Sequence, residues 1–141
     1  MRRLTGHVRR GVRPADQRGD YLIEFAVVLP VFLSLTFGVM EFGRMVFDSS
    51  IISHVARVGV RWAMVHGSSS ASPASSTDVQ NYVQAHALGL SPLTVTTTWT
   101  PNNKPGSTVR VQVQYNFSTI TRLLPTNIWT IRSAAEMTIA H

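Results

Sequence analysis

Arg18-Gly19-Asp20-Tyr21-Leu22-Ile23-Glu24-Phe25 opens the stretch whose reading decides the fold of this chain. A basic segment ends in a glycine. A single carboxylate follows five residues later, at the head of the uncharged run Phe25-Ala-Val-Val-Leu-Pro-Val-Phe-Leu-Ser-Leu-Thr-Phe-Gly-Val-Met40. An acid carried into a membrane helix costs about 2.5–3.5 kcal/mol at the helix centre on insertion scales. A carboxylate kept at this place is therefore expected to have a use.

The charge balance points the same way. The chain has a formal net charge of +6. Arg2, Arg3, Arg9, Arg10, Arg13 and Arg18 stand against Asp16 alone in residues 1–19, so five of those six net positive charges lie ahead of Asp20. The basicity belongs to a leader and not to a folded surface. A basic arm can bind nucleic acid, but arginines beside an apolar run hold that end of a membrane helix in the cytoplasm. The run extends from about Tyr21 to Phe47, and at about 1.5 Å per residue it crosses a hydrocarbon core of about 30 Å. A cleaved secretory signal would have a shorter core and a small-residue site after it. Glu41-Phe42-Gly43-Arg44 makes a poor site of that kind. The reading is a retained single-pass anchor with its amino end inside. Pro30 is expected to bend the helix, and Ser34 with Gly38 offers a small contact face.

Helical character continues outward. Glu41, Arg44 and Asp48 are spaced to form a charge ladder. Ile51, Val55, Val58, Trp62 and Val65 make an apolar stripe, with Ser50, His54, Arg57 and Arg61 on a polar face. A helix from about Tyr21 to His66 would be roughly 70 Å long, its outer half beyond the membrane. The Ser-rich stretch after Gly67 reads as a flexible surface loop. Thr77 with Gln80 suggests a capping box for a short helix from Asp78 to Leu88, ended by Gly89, with Val79, Tyr82, Val83 and Leu88 facing a core. Leu93-Val95-Thr97-Trp99, Val109-Val111-Val113-Tyr115-Phe117 and Trp129-Ile131-Ser133-Ala135-Met137-Ile139 each alternate with other residues. That period of two predicts a small three-stranded antiparallel sheet whose first two strands form a hairpin.

The expected fold class is α+β and pilin-like: a long N-terminal transmembrane helix, a short second helix and a sheet packed on the first helix. The expected divisions are a basic leader at 1–19, a transmembrane helix at 20–47, its extracytoplasmic continuation at 48–66, a Ser-rich linker at 67–77 and a small α+β domain at 78–141. So small a domain is marginal alone, and the chain has no cysteine to staple it. The outer part of the long helix is its natural partner.

Arg18-Gly19, Ile23-Glu24-Phe25-Ala26, Val28-Leu29-Pro30, Phe37-Gly38, Glu41-Phe42-Gly43-Arg44 and Ala56-Arg57-Val58-Gly59-Val60-Arg61 together resemble the TadE family of pseudopilins, from the tight-adherence (Flp) pilus machinery of bacteria. The resemblance covers about residues 18–65; beyond Gly67 it is architectural only. It implies cleavage between Gly19 and Asp20 by a prepilin peptidase, with the catalytic groups in that enzyme. It implies that Glu24, the fifth mature residue, serves assembly by meeting the terminal ammonium of a neighbouring subunit. An opposite charge in low-dielectric surroundings offsets the desolvation of both. Asp20 departs from the small or apolar residue usual there. Phe25, Pro30, Gly38, Glu41 and Arg44 are the helix and interface positions of the motif, and Arg57 and Arg61 a candidate partner face.

The implied partners are the membrane, the prepilin peptidase, other pilin-like subunits and the inner-membrane assembly platform. The implied place is the bacterial inner membrane, with a periplasmic C-terminal domain, or a surface pilus. No catalytic constellation, cofactor motif or metal-ligand spacing is found among His7, His54, His66, His86 and His141, and no serine stands in a nucleophile-elbow context. No cofactor, nucleic acid or small-molecule substrate is expected. The alternative function is an uncleaved, membrane-anchored binding module.

Overall fold

A computed structural model describes residues 17–120 and 129–140. Residues 1–16, which hold most of the expected leader, lie outside the described residues, as does His141. The described elements are α1 (Gln17–Val65), α2 (Ser76–Ala85), β1 (Leu93–Thr100), β2 (Thr108–Phe117) and β3 (Trp129–Thr138). The chain divides into two units, Met1–Thr36 and Phe37–His141.

In the first unit the described residues are helical. Helix α1 begins at Gln17, four residues ahead of the start expected from the apolar pattern. Asp20 lies in its first turn, where a carboxylate is stabilised by the positive end of the helix dipole. Pro30 is accommodated inside the helix without ending it. Ser34 Oγ donates to the Pro30 carbonyl at 2.7 Å, and Thr36 Oγ1 to the Phe32 carbonyl at 2.9 Å, so neither hydroxyl is left unpaired in an apolar setting. The apolar side chains point outward, and an 18-residue window of mean hydropathy 2.2 has none of its residues buried. By length and composition this helix suffices to cross a membrane, in keeping with a single-pass anchor.

The second unit contains the core. Strand order is β1-β2-β3, antiparallel throughout. The hairpin register sets Leu93 opposite Tyr115, Val95 opposite Val113 and Trp99 opposite Val109. In the next pair Val111 faces Ala135 and Tyr115 faces Ile131. Val109, Val111, Val113, Tyr115 and Phe117 turn one face of β2 inward, where it meets Val79 and Val83 of α2 and the buried side of α1 in one hydrophobic cluster. The fold is therefore α+β, with the expected sheet and hairpin.

The buried stripe of α1 is rotated by about one residue from the expected one. Ile52, Val55, Ala56, Gly59, Val60 and Ala63 are buried, while Ile51, Val58 and Trp62 are half-buried and Val65 is exposed. The large residues marked a helix face, but the small ones decide where it packs. A Cβ on Gly59 would lie 2.5 Å from Val83 Cγ2 and 3.4 Å from Val111 Cγ1. Only glycine lets α2 and β2 approach α1 so closely.

Helix α2 starts two residues earlier than expected. Its cap is Ser75, not Thr77. Ser75 Oγ accepts from the Asp78 N–H at 3.2 Å, and Asp78 Oδ2 accepts from the Ser75 N–H at 2.9 Å. The Asp78 carboxylate accepts from the Ser75 N–H and from the Ser75 hydroxyl, more strongly than a neutral Gln80 amide accepts. The helix ends at Ala85, and Leu88 does not enter the core. It is 82 % exposed, at φ 38°, just ahead of Gly89 at φ 84°. Ala87 is buried in its stead. The Ser-rich stretch is tied down: the Ser68 N–H donates to the Asn103 carbonyl at 2.7 Å and the Ala74 N–H to the His66 carbonyl at 2.8 Å.

Candidate functional site

Gly19, Asp20 and Glu24 lie in the first two turns of α1, in the first unit. Asp20 and Glu24 are exposed and one turn apart, so they share a helix face. Glu24 borders a shallow depression with Tyr21, Phe25 and Val28. Among the described residues neither carboxylate has a hydrogen-bonding or ion-pair partner. Gly19 is equally unexplained from within: a Cβ there would meet nothing within 4 Å, and its φ is not in the left-handed region. A helical glycine costs about 0.5–1 kcal/mol relative to alanine, with no packing gain here to offset it. The same holds for Gly38 and Gly43, which also face open space, whereas Gly59 is accounted for by its neighbours.

Glu41 and Arg44 are placed differently, inside the second unit. Glu41 is buried. Its Oε1 accepts from the Ile120 N–H at 2.7 Å, across 79 positions of sequence. Its Oε2 accepts from Arg44 Nη1 at 3.1 Å. The Arg44 guanidinium carbon in turn stands 5.2 Å from the Phe117 ring centroid, a cation–π distance. This pair fastens the end of β2 and the chain after it to α1. Asp48, the third member of the expected ladder, is buried with its Oδ2 making no hydrogen bond. No Arg44–Asp48 ion pair is found among the described residues. Gly38, Glu41, Phe42, Met45, Phe117, Thr119 and Trp129 surround one apolar depression. Phe25 and Pro30 belong to the outward-facing apolar surface of α1.

Arg57 and Arg61 are exposed on α1 beside His54 and Val58, where they line a shallow groove. Arg57 Nε donates to the Ser53 carbonyl at 3.2 Å. Neither arginine has an acidic partner among the described residues, so both guanidinium groups are free to meet one from outside.

Sequence reasoning missed a ring ladder at the other end of this unit. His66 stacks on Trp62 at 4.3 Å, Trp62 on Tyr82 at 5.1 Å, and Tyr82 meets His86 at 4.3 Å. His66 Nδ1 is 2.8 Å from the Trp62 carbonyl, and His86 Nδ1 is 2.8 Å from the Tyr82 carbonyl. The pairs Trp62–His66 and Tyr82–His86, each at the end of a helix, are spaced i, i+4, a signal that was present in the sequence. The pairing of the two helices through Trp62 and Tyr82 was not.

Among the described residues no group of three or more His, Asp or Glu is placed to hold a metal ion. The features left without a partner among the described residues, Gly19 and Glu24 in the first unit and the two outer arginines in the second, all lie on α1. No curated protein and no solved structure matches the chain significantly. Residues 19–61, a stretch that begins at Gly19, ends at Arg61 and lies wholly within α1, match the model of the TadE-like protein family, the pilus-related, pilin-like group that the sequence resembles.

Proposed function

We propose that this chain is a non-enzymatic, TadE-like pseudopilin or minor pilin that takes part in assembling a Flp/Tad-type adhesion pilus at the bacterial inner membrane, after a prepilin peptidase cleaves behind Gly19. The observation that carries the reading is the pair Gly19 and Glu24 at the head of an outward-facing apolar helix, within a TadE-like match, with neither residue given a contact to account for it among the described residues. A residue that a chain keeps at a cost and does not use internally is kept for a partner.

The physical roles follow. Gly19 lets a protease approach the backbone closely. The bond lies in the first turn of α1, where helix ends fray and little structure must open to expose it. Cleavage removes most of the net positive charge and creates an ammonium on Asp20. An ammonium at a helix amino end is unfavourable against the dipole, and the carboxylates of Asp20 and Glu24 compensate it. Glu24 then offers its charge to the ammonium of a neighbouring pilin-like subunit, while Phe25, Pro30 and Gly38 shape the helix surface that meets such neighbours. The second unit stands on the periplasmic side, where Arg57 and Arg61 can dock on an acidic surface of the assembly platform or another subunit.

The test is replacement in cells that carry the pilus machinery. Gly19→Val should block maturation. Glu24→Gln should leave a mature, membrane-held protein that no longer supports surface piliation. Wild-type piliation in both variants would remove the basis of the proposal and favour the uncleaved binding module.

A further inference from the structure

Within the second unit, the side of α1 turned away from the core carries two kinds of side chain next to each other. Arg57 and Arg61 are exposed one turn apart, and they share a groove with Val58. Val58, Trp62 and Val65 are spaced i, i+4 and i+7, so they form an apolar strip along the same helix. Val65 is 42 % exposed, and Val58 and Trp62 are half-buried. The strip ends in the ring ladder, where Trp62 stacks on His66 at 4.3 Å and on Tyr82 at 5.1 Å. The surface is therefore amphipathic, with a cationic row beside an apolar one.

We propose that this face docks an acidic, amphipathic segment of another protein. Two carboxylates about one helical turn apart meet Arg57 and Arg61, and an apolar side chain beside them rests on Val58, Trp62 and Val65. The inference rests on the reading of the second unit as one that docks during pilus assembly, and adds to it an apolar half and a pattern for the partner. Charge complementarity carries it first. Neither arginine has an acidic partner among the described residues. Arg57 Nε is tethered to the Ser53 carbonyl at 3.2 Å, which leaves its two Nη groups to grip a carboxylate end-on. The number of charges argues against a bilayer, because anionic lipid is recognised by clusters of about four to eight Lys/Arg and this row has two. The apolar half is built as a protein anchor. Binding hot spots are rich in Trp, Tyr and Arg, and side chains already held in place lose less freedom on binding. Trp62 and Tyr82 are held by their stack. A second copy does not fit. The acids of the second unit are Glu41 and Asp48, which are buried, Asp78, which is bonded to Ser75, and Glu136, which stands 3.9 Å from Arg110.

The test places the photoreactive side chain p-benzoylphenylalanine at Val65 of the full chain, in cells that carry the pilus machinery. After irradiation the cross-linked peptide is sequenced by mass spectrometry. It should come from another protein and hold two Asp or Glu residues three or four positions apart. Arg57→Glu together with Arg61→Glu should lower the adduct yield by at least about tenfold, with the melting temperature of the purified chain unchanged. Arg57→Lys with Arg61→Lys, which keeps the charge, should retain more of it. An adduct to lipid, to a second copy or to a peptide without acids would overturn the inference. So would the absence of any protein adduct, or a yield indifferent to the charge reversal. A loss shared by the lysine pair and matched by a lowered melting temperature would overturn it too, since the arginines would then serve the fold. The mature amino terminus, read from the same sample, separates this inference from the reading it rests on. A chain cut behind Gly19 that gives no such adduct leaves that reading standing and this inference refuted; an uncut chain without the adduct refutes both.

Discussion

Replacing Gly59 by alanine tests whether small residues set the approach of the elements around α1. In an exposed helix the change stabilises by about 0.8–1.0 kcal/mol, because glycine is the poorer helix former. Here the new methyl carbon would stand 2.5 Å from Val83 Cγ2, well inside contact distance, and 3.4 Å from Val111 Cγ1. Val83 is fully buried on α2, and a β-branched residue in a helix has one strongly preferred rotamer. Relief must therefore come from moving α2, and overpacking of this kind costs about 1–3 kcal/mol. The difference is a net loss of about 1 kcal/mol, which lowers the melting temperature of a domain this size by about 4–8 °C. Thermal unfolding of the full chain in detergent, followed by near-ultraviolet circular dichroism, reads it. The second arm is Val83→Ala, which removes the obstructing Cγ2. In that background Gly59→Ala should cost nothing or stabilise, so the two changes couple strongly. A melting temperature that rises on Gly59→Ala with Val83 in place would refute the packing argument.

Two further outcomes follow from named contacts. Glu41→Ala leaves the Ile120 N–H and Arg44 without their shared acceptor and should destabilise the β domain by about 1–3 kcal/mol; Glu41→Gln keeps an acceptor oxygen and should lose less, which denaturant titration would resolve. The Ser75 hydroxyl and N–H hold the Asp78 carboxyl below its ordinary pKa. A depressed folded pKa adds stability above the unfolded value and loses it as pH falls through the folded one. The stability gap between wild type and Asp78→Asn should accordingly be present at neutral pH and close below about pH 4, and a gap that persists unchanged into acid would contradict that assignment.

What was legible in the sequence was what local chemistry controls. Alternation in Val109–Phe117 fixed the inward face of β2, and the same period in Ile131–Met137 fixed β3, because burial on one face is itself a local pattern. The uncharged run after Glu24 announced the long helix. The inner stripe of α1 was displaced because hydrophobicity is blind to Ala56, Gly59 and Ala63, whose value lies in what they leave out. The cap of α2 was misplaced because two overlapping boxes were present and only charge strength chose between them. The Glu41 contact with Ile120 could not be read at all, since its partners are brought together only by the sheet folding back onto the helix. At the head of α1 the order is reversed. The spacing of Gly19 and Glu24 spoke in the sequence, and the fold adds that neither residue is explained by its surroundings among the described residues.

The central claim is that the chain is cut behind Gly19 and that Glu24 serves the product. Intact-mass and amino-terminal peptide analysis of the membrane-held protein, taken from cells expressing a prepilin peptidase, tests it most directly. The account predicts a mature form that begins at Asp20 and that is lost on Gly19→Val. A membrane form that still carries Arg18-Gly19 ahead of Asp20 in the presence of active peptidase would contradict it.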